Sequence, residues 1–266
     1  MSGDRNDDGT LAIVLAAGKG TRMKSELPKV LYPICGRPMI DYVLDALVEA
    51  GVERIVVVVG YEAQMVRDHL AQRKASLGKG RDGVDRLDFV TQTELLGTGH
   101  AVTFARKFFE HFDGPVFITA GDGPLIRATS IRKLIDRYKK TPVSCVLGSA
   151  IKENPFGLGR VLRDESGEFV GVVEEKDATD EQRKIQEVNM TYYVFRGTEL
   201  AEALLKLRNT NVQKEYYLTD VPGILLSLGR RVLAMPVLDP TESLAVNTVA
   251  EAEIVEAKWA ELRNGN

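Results

Sequence analysis

Short apolar runs alternate with amphipathic stretches along the first half of the chain. "LAIVLAA" from Leu11, "RIVVVVG" from Arg54 and "PVFITAGD" from Pro115 have little polar alternation. That pattern predicts strands covered on both faces. "LDFVTQ" and "PVSCVLGSA" read as further strands. Between them, helices are predicted from Pro38 to about Glu49, over 62–73 and over 128–139, the first ended by Gly51. "GHAVTFARKFFEHF" is predicted as one helix with Ala101, Phe104, Ala105 and Phe108 along a single face. "SLGKGRDGVDR" is a polar loop.

The second half changes style. "GRVLRDESGEFVGVVEE" predicts a hairpin turning near Ser166-Gly167, and "EVNMTYYVF" and "VLAMPVL" predict strands. Helices fit 198–207, 219–228 and about 249–263, the last with Ala252, Val255, Trp259 and Leu262 on its packing face. Strand and helix in alternation predict an α/β fold with a doubly wound, mostly parallel, Rossmann-like sheet and a small hairpin-containing lobe. In such sheets ligands lie beyond the carboxyl ends of the strands. The segments Gly18–Lys29, Gln92–His100 and Gly121–Leu125 all follow strands, so they are expected on one rim.

Composition narrows the class. The 266 residues are 44% hydrophobic and 27% charged, with a formal net charge of −3. No basic excess points to a nucleic acid, and no apolar run reaches membrane-span length. The acidic start "MSGDRNDDGT" is expected to be a disordered tail over 1–10 rather than a signal peptide. Cys35 and Cys145 have no His or Cys neighbour at metal-ligand spacing, and a reducing cytoplasm is the simplest compartment.

The rim segments carry the chemistry. After the first strand, Gly18 and Gly20 begin a dinucleotide-binding pattern, but Met23 stands where its third Gly belongs, and no P-loop spacing follows. A Gly-rich loop followed by Arg22, Lys24 and Lys29 still expects an anion. Gln92 offers an amide to a base edge, and Gly97 permits close approach. Asp122, flanked by Gly121 and Gly123, suits either Mg²⁺ bridging phosphates or a plain turn. Asn247, just before the last helix, suits a ligand or a neighbour of the cap.

"LAAGKGTRMKSELPKVL" resembles the signature of the sugar-1-phosphate nucleotidyltransferases. "TELLGTGHA", "EKDATDEQRKIQEVN" and "NVQKEYYLTD" are similar to the uridylyltransferase domain of the bacterial bifunctional enzymes that make UDP-N-acetylglucosamine. The likeness runs from about Leu11 to about Leu262. It implies a single nucleotidyltransferase domain over 11–266: a nucleotide part to about 125, a sugar part over 126–247 and a C-terminal helix. The implied reaction is attack of N-acetylglucosamine-1-phosphate on the α-phosphate of UTP, with pyrophosphate leaving and Mg²⁺ as cofactor.

The resemblance implies that Leu15, Ala16, Ala17, Gly18, Gly20, Thr21 and Thr98 bind the nucleotide, while Gln92 and Gly97 read its base. Arg22 binds the leaving pyrophosphate and Lys29 the reacting phosphate. Asp122 and Asn247 are the implied metal ligands. Gly159, Glu174 and Asn189 hold the sugar. Lys24 and Lys176 are weaker site candidates, each better read as a solvated surface lysine. Three positions depart from the family around that sugar. Ala120 replaces an aromatic residue, Leu158 the Tyr of Tyr-Gly-Arg, and Met190-Thr191 the Thr-Gly of Asn-Thr-Gly. They leave open another sugar phosphate or phosphocholine as substrate, or a non-catalytic sensor of UDP-sugars. The bifunctional relatives also carry a β-helix acetyltransferase domain. No hexapeptide repeat occurs here, so that activity is not expected of this chain.

Overall fold

Aliphatic runs become strands because pairing on both edges satisfies their backbone while their side chains face two apolar layers. The computed structural model describes residues 9–80 and 83–264. The expected tail therefore falls outside the described residues apart from Gly9 and Thr10, as do residues 81 and 82 of the polar loop. Thr10 is buried, and its carbonyl accepts the N–H groups of Glu53 and Arg54.

The chain runs β1 (Leu11–Ala16), a two-residue ribbon of β2 (Pro33–Ile34) and β3 (Arg37–Pro38), α1 (Met39–Glu49), β4 (Arg54–Val59), α2 (Ala63–Leu77), β5 (Leu87–Thr91), α3 (Thr98–Thr103) and β6 (Pro115–Ala120). It continues through α4 (Ala128–Lys140), β7 (Cys145–Ile151), the hairpin β8 (Gly159–Arg163) and β9 (Phe169–Val173), α5 (Asp180–Arg183) and β10 (Glu187–Arg196). It closes with α6 (Gly197–Leu204), α7 (Val221–Ser227), β11 (Val232–Met235) and α8 (Val249–Asn264).

The main sheet has the order β11-β7-β10-β6-β1-β4-β5. β1 pairs in parallel with β4 and β6, and β4 with β5, whereas β10 runs antiparallel to β6 and β7. Successive residues of β1 and β4 alternate between two core layers. Val14, Val57 and Val59 lie in one, and Ile13, Val56 and Val58 in the other. The first three residues of β10, Glu187–Asn189, also border the hairpin through Asn189 and Gly159, so one strand joins the sheet to the small lobe.

Two expectations are corrected. The helix expected through Phe112 ends at Thr103 and is followed by a 3-10 turn over Arg106–Phe108. There Ala105 and Phe108 donate to Val102 and Ala105, three residues back, and the Thr103 hydroxyl bonds the His100 carbonyl. The tighter winding rotates the face. Phe109 is fully buried, while Phe104 and Phe108 are only partly covered. The strand expected over 232–238 stops at Met235, because Pro236 has no N–H for the ladder.

β10 also bulges. Its register on β7 shifts between Asn189 and Tyr192, and Thr191 takes φ 55°, a left-handed conformation unusual for a β-branched residue.

Candidate active site

The chain leaves β1 toward β4 on one side and returns through β6 on the other. The reversal of strand order lies beside β1, where open α/β sheets bind ligands. The Gly121 N–H binds the Leu15 carbonyl at 2.9 Å, holding the two strand ends together. Ala16 and Ala17 are buried, and Leu15 is half-buried. Gly18 is exposed, and nothing in the protein lies within 4 Å of where its Cβ would be. Gly20 is different. It takes φ 61°, and a Cβ there would sit 2.6 Å from Cβ of Lys29. That glycine lets the loop lie against the lysine stem. Thr21 and Arg22 are exposed on a short 3-10 turn, which is anchored by Met23 in a third core layer with Leu125 and Val246.

Lys29, Asp122 and Asn247 converge. The Lys29 ammonium pairs with Asp122 Oδ2 and donates to Asn247 Oδ1 at 2.6 Å. Asn247 therefore does not spend its side chain on capping α8. Thr248 takes that role, accepting the Glu251 N–H, while Glu251 accepts the Asn247 N–H at 2.7 Å. The Val246 N–H reaches the Asp122 carbonyl at 3.2 Å. A carboxylate and an amide oxygen that meet on one ammonium can also meet on a hard divalent cation. Among the described residues no cluster of three or more His, Cys, Asp or Glu is gathered for a metal, so such an ion would complete its shell with phosphate and water.

Gln92 is buried at the end of β5. Its Nε2 meets the Gly97 carbonyl at 3.3 Å and His100 Nδ1 at 3.1 Å, which turns the nitrogen inward and Oε1 away from those partners. Gly97 takes φ 110°, and a Cβ there would lie 2.6 Å from the Tyr216 carbonyl oxygen. The protein's own backbone thus packs closely against Gly97. The Thr98 hydroxyl accepts the Leu218 N–H, and Tyr216 exchanges backbone bonds with Leu96 and Gly99. The "QKEYYLTD" stretch thereby braces the Gln92 loop.

Gly159, Glu174 and Asn189 come together in the small lobe. A Cβ on Gly159 would lie 3.5 Å from Glu174 Oε2 and 3.6 Å from Asn189 Cβ. Burial pushes the Glu174 carboxyl above its ordinary range, with Asp220, Asp177 and Glu215 adding to it and the Thr219 hydroxyl opposing it at 2.9 Å. Glu174 borders a cavity of about 240 Å³ with Asp177, Asn211, Tyr217 and Asp220. Sequence reasoning assigned no role to Tyr217, Thr219 or Asp220, although their stretch was itself a mark of the resemblance. Lys24 and Lys176 are exposed.

An exposed glycine loop, the converging Lys29, Asp122 and Asn247 and an adjoining polar lobe on one α/β sheet fit a nucleotide-dependent transferase. Residues 12–215 match the MobA-like NTP transferase domain, and the chain belongs to that family of nucleotidyltransferases. It is 42% identical over 246 residues to the bifunctional protein GlmU of Geobacter metallireducens, covering 92% of this chain and 49% of that protein. Against the bifunctional protein GlmU of Brevibacillus brevis it is 40% identical over 260 residues, covering 96% and 54%. The chain thus spans about half the length of the curated relatives it matches. A UDP-glucose pyrophosphorylase solved with UDP-glucose superposes with a TM-score of 0.75 at 19% identity, covering 95% of this chain and 98% of that one, a likeness of fold. Among the described residues no helix is long and apolar enough to cross a membrane.

Proposed function

We propose that the chain transfers UMP from UTP to N-acetylglucosamine-1-phosphate in the cytoplasm, giving UDP-N-acetylglucosamine and pyrophosphate. The observation that carries this reading is the convergence of Lys29, Asp122 and Asn247 at the carboxyl ends of β1 and β6. The identity of about 40% to bifunctional GlmU proteins across nearly the whole chain supports the choice of substrates.

A sugar-phosphate oxygen forms the new bond to the α-phosphorus as the bond to the β-phosphate oxygen breaks. Pyrophosphate carries away the electron pair. No protein nucleophile takes part, so the protein's work is alignment and neutralisation of charge. Mg²⁺, held by Asp122 and Asn247, would supply charge neutralisation on the phosphates. The Gly18–Thr21 backbone faces the triphosphate, Arg22 the pyrophosphate end and Lys29 the α-phosphate. Because Nε2 of Gln92 is engaged, its Oε1 is the atom available to accept from uracil N3–H. Cytosine has no proton at N3, so UTP is preferred over CTP. Gly159, Glu174 and Asn189 hold the sugar, with Thr219 fixing the Glu174 carboxyl.

Incubation with UTP, N-acetylglucosamine-1-phosphate and Mg²⁺ should release UDP-N-acetylglucosamine and pyrophosphate in equal amounts. Replacing UTP by CTP should cut the rate at least tenfold, and Gln92→Ala should shrink that preference. Equal use of both triphosphates by the unmutated chain would remove Gln92 from base reading.

A further inference from the structure

Asp122 and Asn247 reach the site on different segments, and something must set their spacing. Glu242 lies at the point where those segments are joined. It is 3% exposed, and its carboxylate accepts three hydrogen bonds. These come from the Arg127 N–H at 3.0 Å, the Ser130 hydroxyl at 2.7 Å and the Asp239 N–H at 3.1 Å. Arg127 and Ser130 belong to the first turn of α4, just beyond the loop that carries Asp122. Glu242 itself lies in a short 3-10 turn, Pro240–Ser243, and a short loop leads from that turn to Asn247. The Val246–Asp122 backbone bond forms a second tie nearer the site. Arg127 also reaches Asp239 at 3.0 Å and the Thr241 hydroxyl at 3.2 Å, so the same two segments meet along a line of contacts.

A carboxylate at a helix start offsets unpaired N–H groups, and that alone would explain its stability. It does not explain why the capping group comes from the segment bearing the other ligand oxygen. We propose that Glu242 is a positioning residue: it locks the Asp122 and Asn247 segments to each other so that their two oxygens hold one fixed spacing for a divalent ion. The inference rests on the proposed cation role of those two residues, and it is independent of which sugar is used.

The test compares UTP binding by calorimetry with Mg²⁺ and with EDTA, in the absence of any sugar phosphate. The unmutated chain should bind UTP more tightly with Mg²⁺. Glu242→Gln, which keeps the volume but faces two N–H donors with an amide, should lose at least fivefold of that Mg²⁺ gain. Its metal-free UTP affinity should stay within twofold. Ser130→Ala, which removes one bond and leaves the charge, should lose a smaller part of the gain and serves if Glu242→Gln does not fold. A Mg²⁺ gain unchanged in the folded variants would overturn the proposal, as would an equal fall in metal-free affinity or the absence of any gain in the unmutated chain. Failure to make UDP-N-acetylglucosamine, with the Mg²⁺ result as expected, would overturn the substrate assignment and leave Glu242 in place.

Discussion

Lys29 carries the largest single expectation at the scale of one residue. Its ammonium lies between the side-chain oxygens of Asp122 and Asn247, and its stem rests against a glycine that cannot be larger. Lys29→Ala should retain the fold and slow turnover by at least a hundredfold, the loss of a preorganised cation worth about 3–4 kcal/mol. Steady-state rates at saturating UTP check this, and a change below threefold would remove Lys29 from the chemistry. Thr191 offers the opposite kind of test. Holding a β-branched residue at φ 55° costs about 1–2 kcal/mol, of which the entropy of a glycine takes back about 0.5–1. Thr191→Gly should therefore raise unfolding stability by about 0.5–1 kcal/mol in urea titration, and a loss of stability would contradict the strain. Sequence alone placed a glycine of the family at this position. It does not show that threonine here takes a left-handed conformation at a bulge.

Elements were legible where burial dictates their pattern. The strands β1, β4 and β6 follow from apolar runs with little polar alternation, and α1 from Pro38 at its start and Gly51 past its end. α3 was read too long because a 3-10 continuation keeps nearly the same apolar spacing while turning a different Phe inward. The brace between the Gln92 loop and "QKEYYLTD" was hidden for another reason: it is made of backbone bonds between segments far apart in sequence. The hairpin lobe gives this scale its pH test. Glu174 is protonated more readily in the folded chain than in the unfolded one, because burial and the neighbouring Asp220, Asp177 and Glu215 oppose its charge. Its contribution is fully present below the unfolded carboxyl pKa of about 4.3 and is lost as pH rises through the raised folded value. Glu174→Gln keeps an acceptor for Thr219 without the charge. Its melting temperature should exceed that of the unmutated chain at pH 7.5, and the gap should close as pH falls toward about 4. A gap independent of pH would contradict the assignment.

For the whole molecule, the sheet gathers on one rim the ends of strands that are far apart in the chain, and α8 closes back over it. Val246, Ala252 and Val255 pack with Met23 and Leu125, so the last helix supports both the Gly18–Met23 loop and the Asp122 loop. The proposed reaction is uridylyl transfer to N-acetylglucosamine-1-phosphate, in a pocket that the resemblance places beside Ala120, Leu158 and Met190-Thr191. Leu158 packs partly into the core, and Met190 is buried. By the resemblance, these positions lack an aromatic face and a hydroxyl that the family carries near the sugar, while Glu174 and Asn189 remain. Each such contact is worth on the order of 1 kcal/mol, which predicts a raised KM and looser discrimination. The deciding measurement is kcat/KM at saturating UTP for N-acetylglucosamine-1-phosphate, N-acetylgalactosamine-1-phosphate and glucose-1-phosphate, read as pyrophosphate release. N-acetylglucosamine-1-phosphate should lead, and another sugar phosphate ahead of it by tenfold or more would contradict transfer to N-acetylglucosamine-1-phosphate.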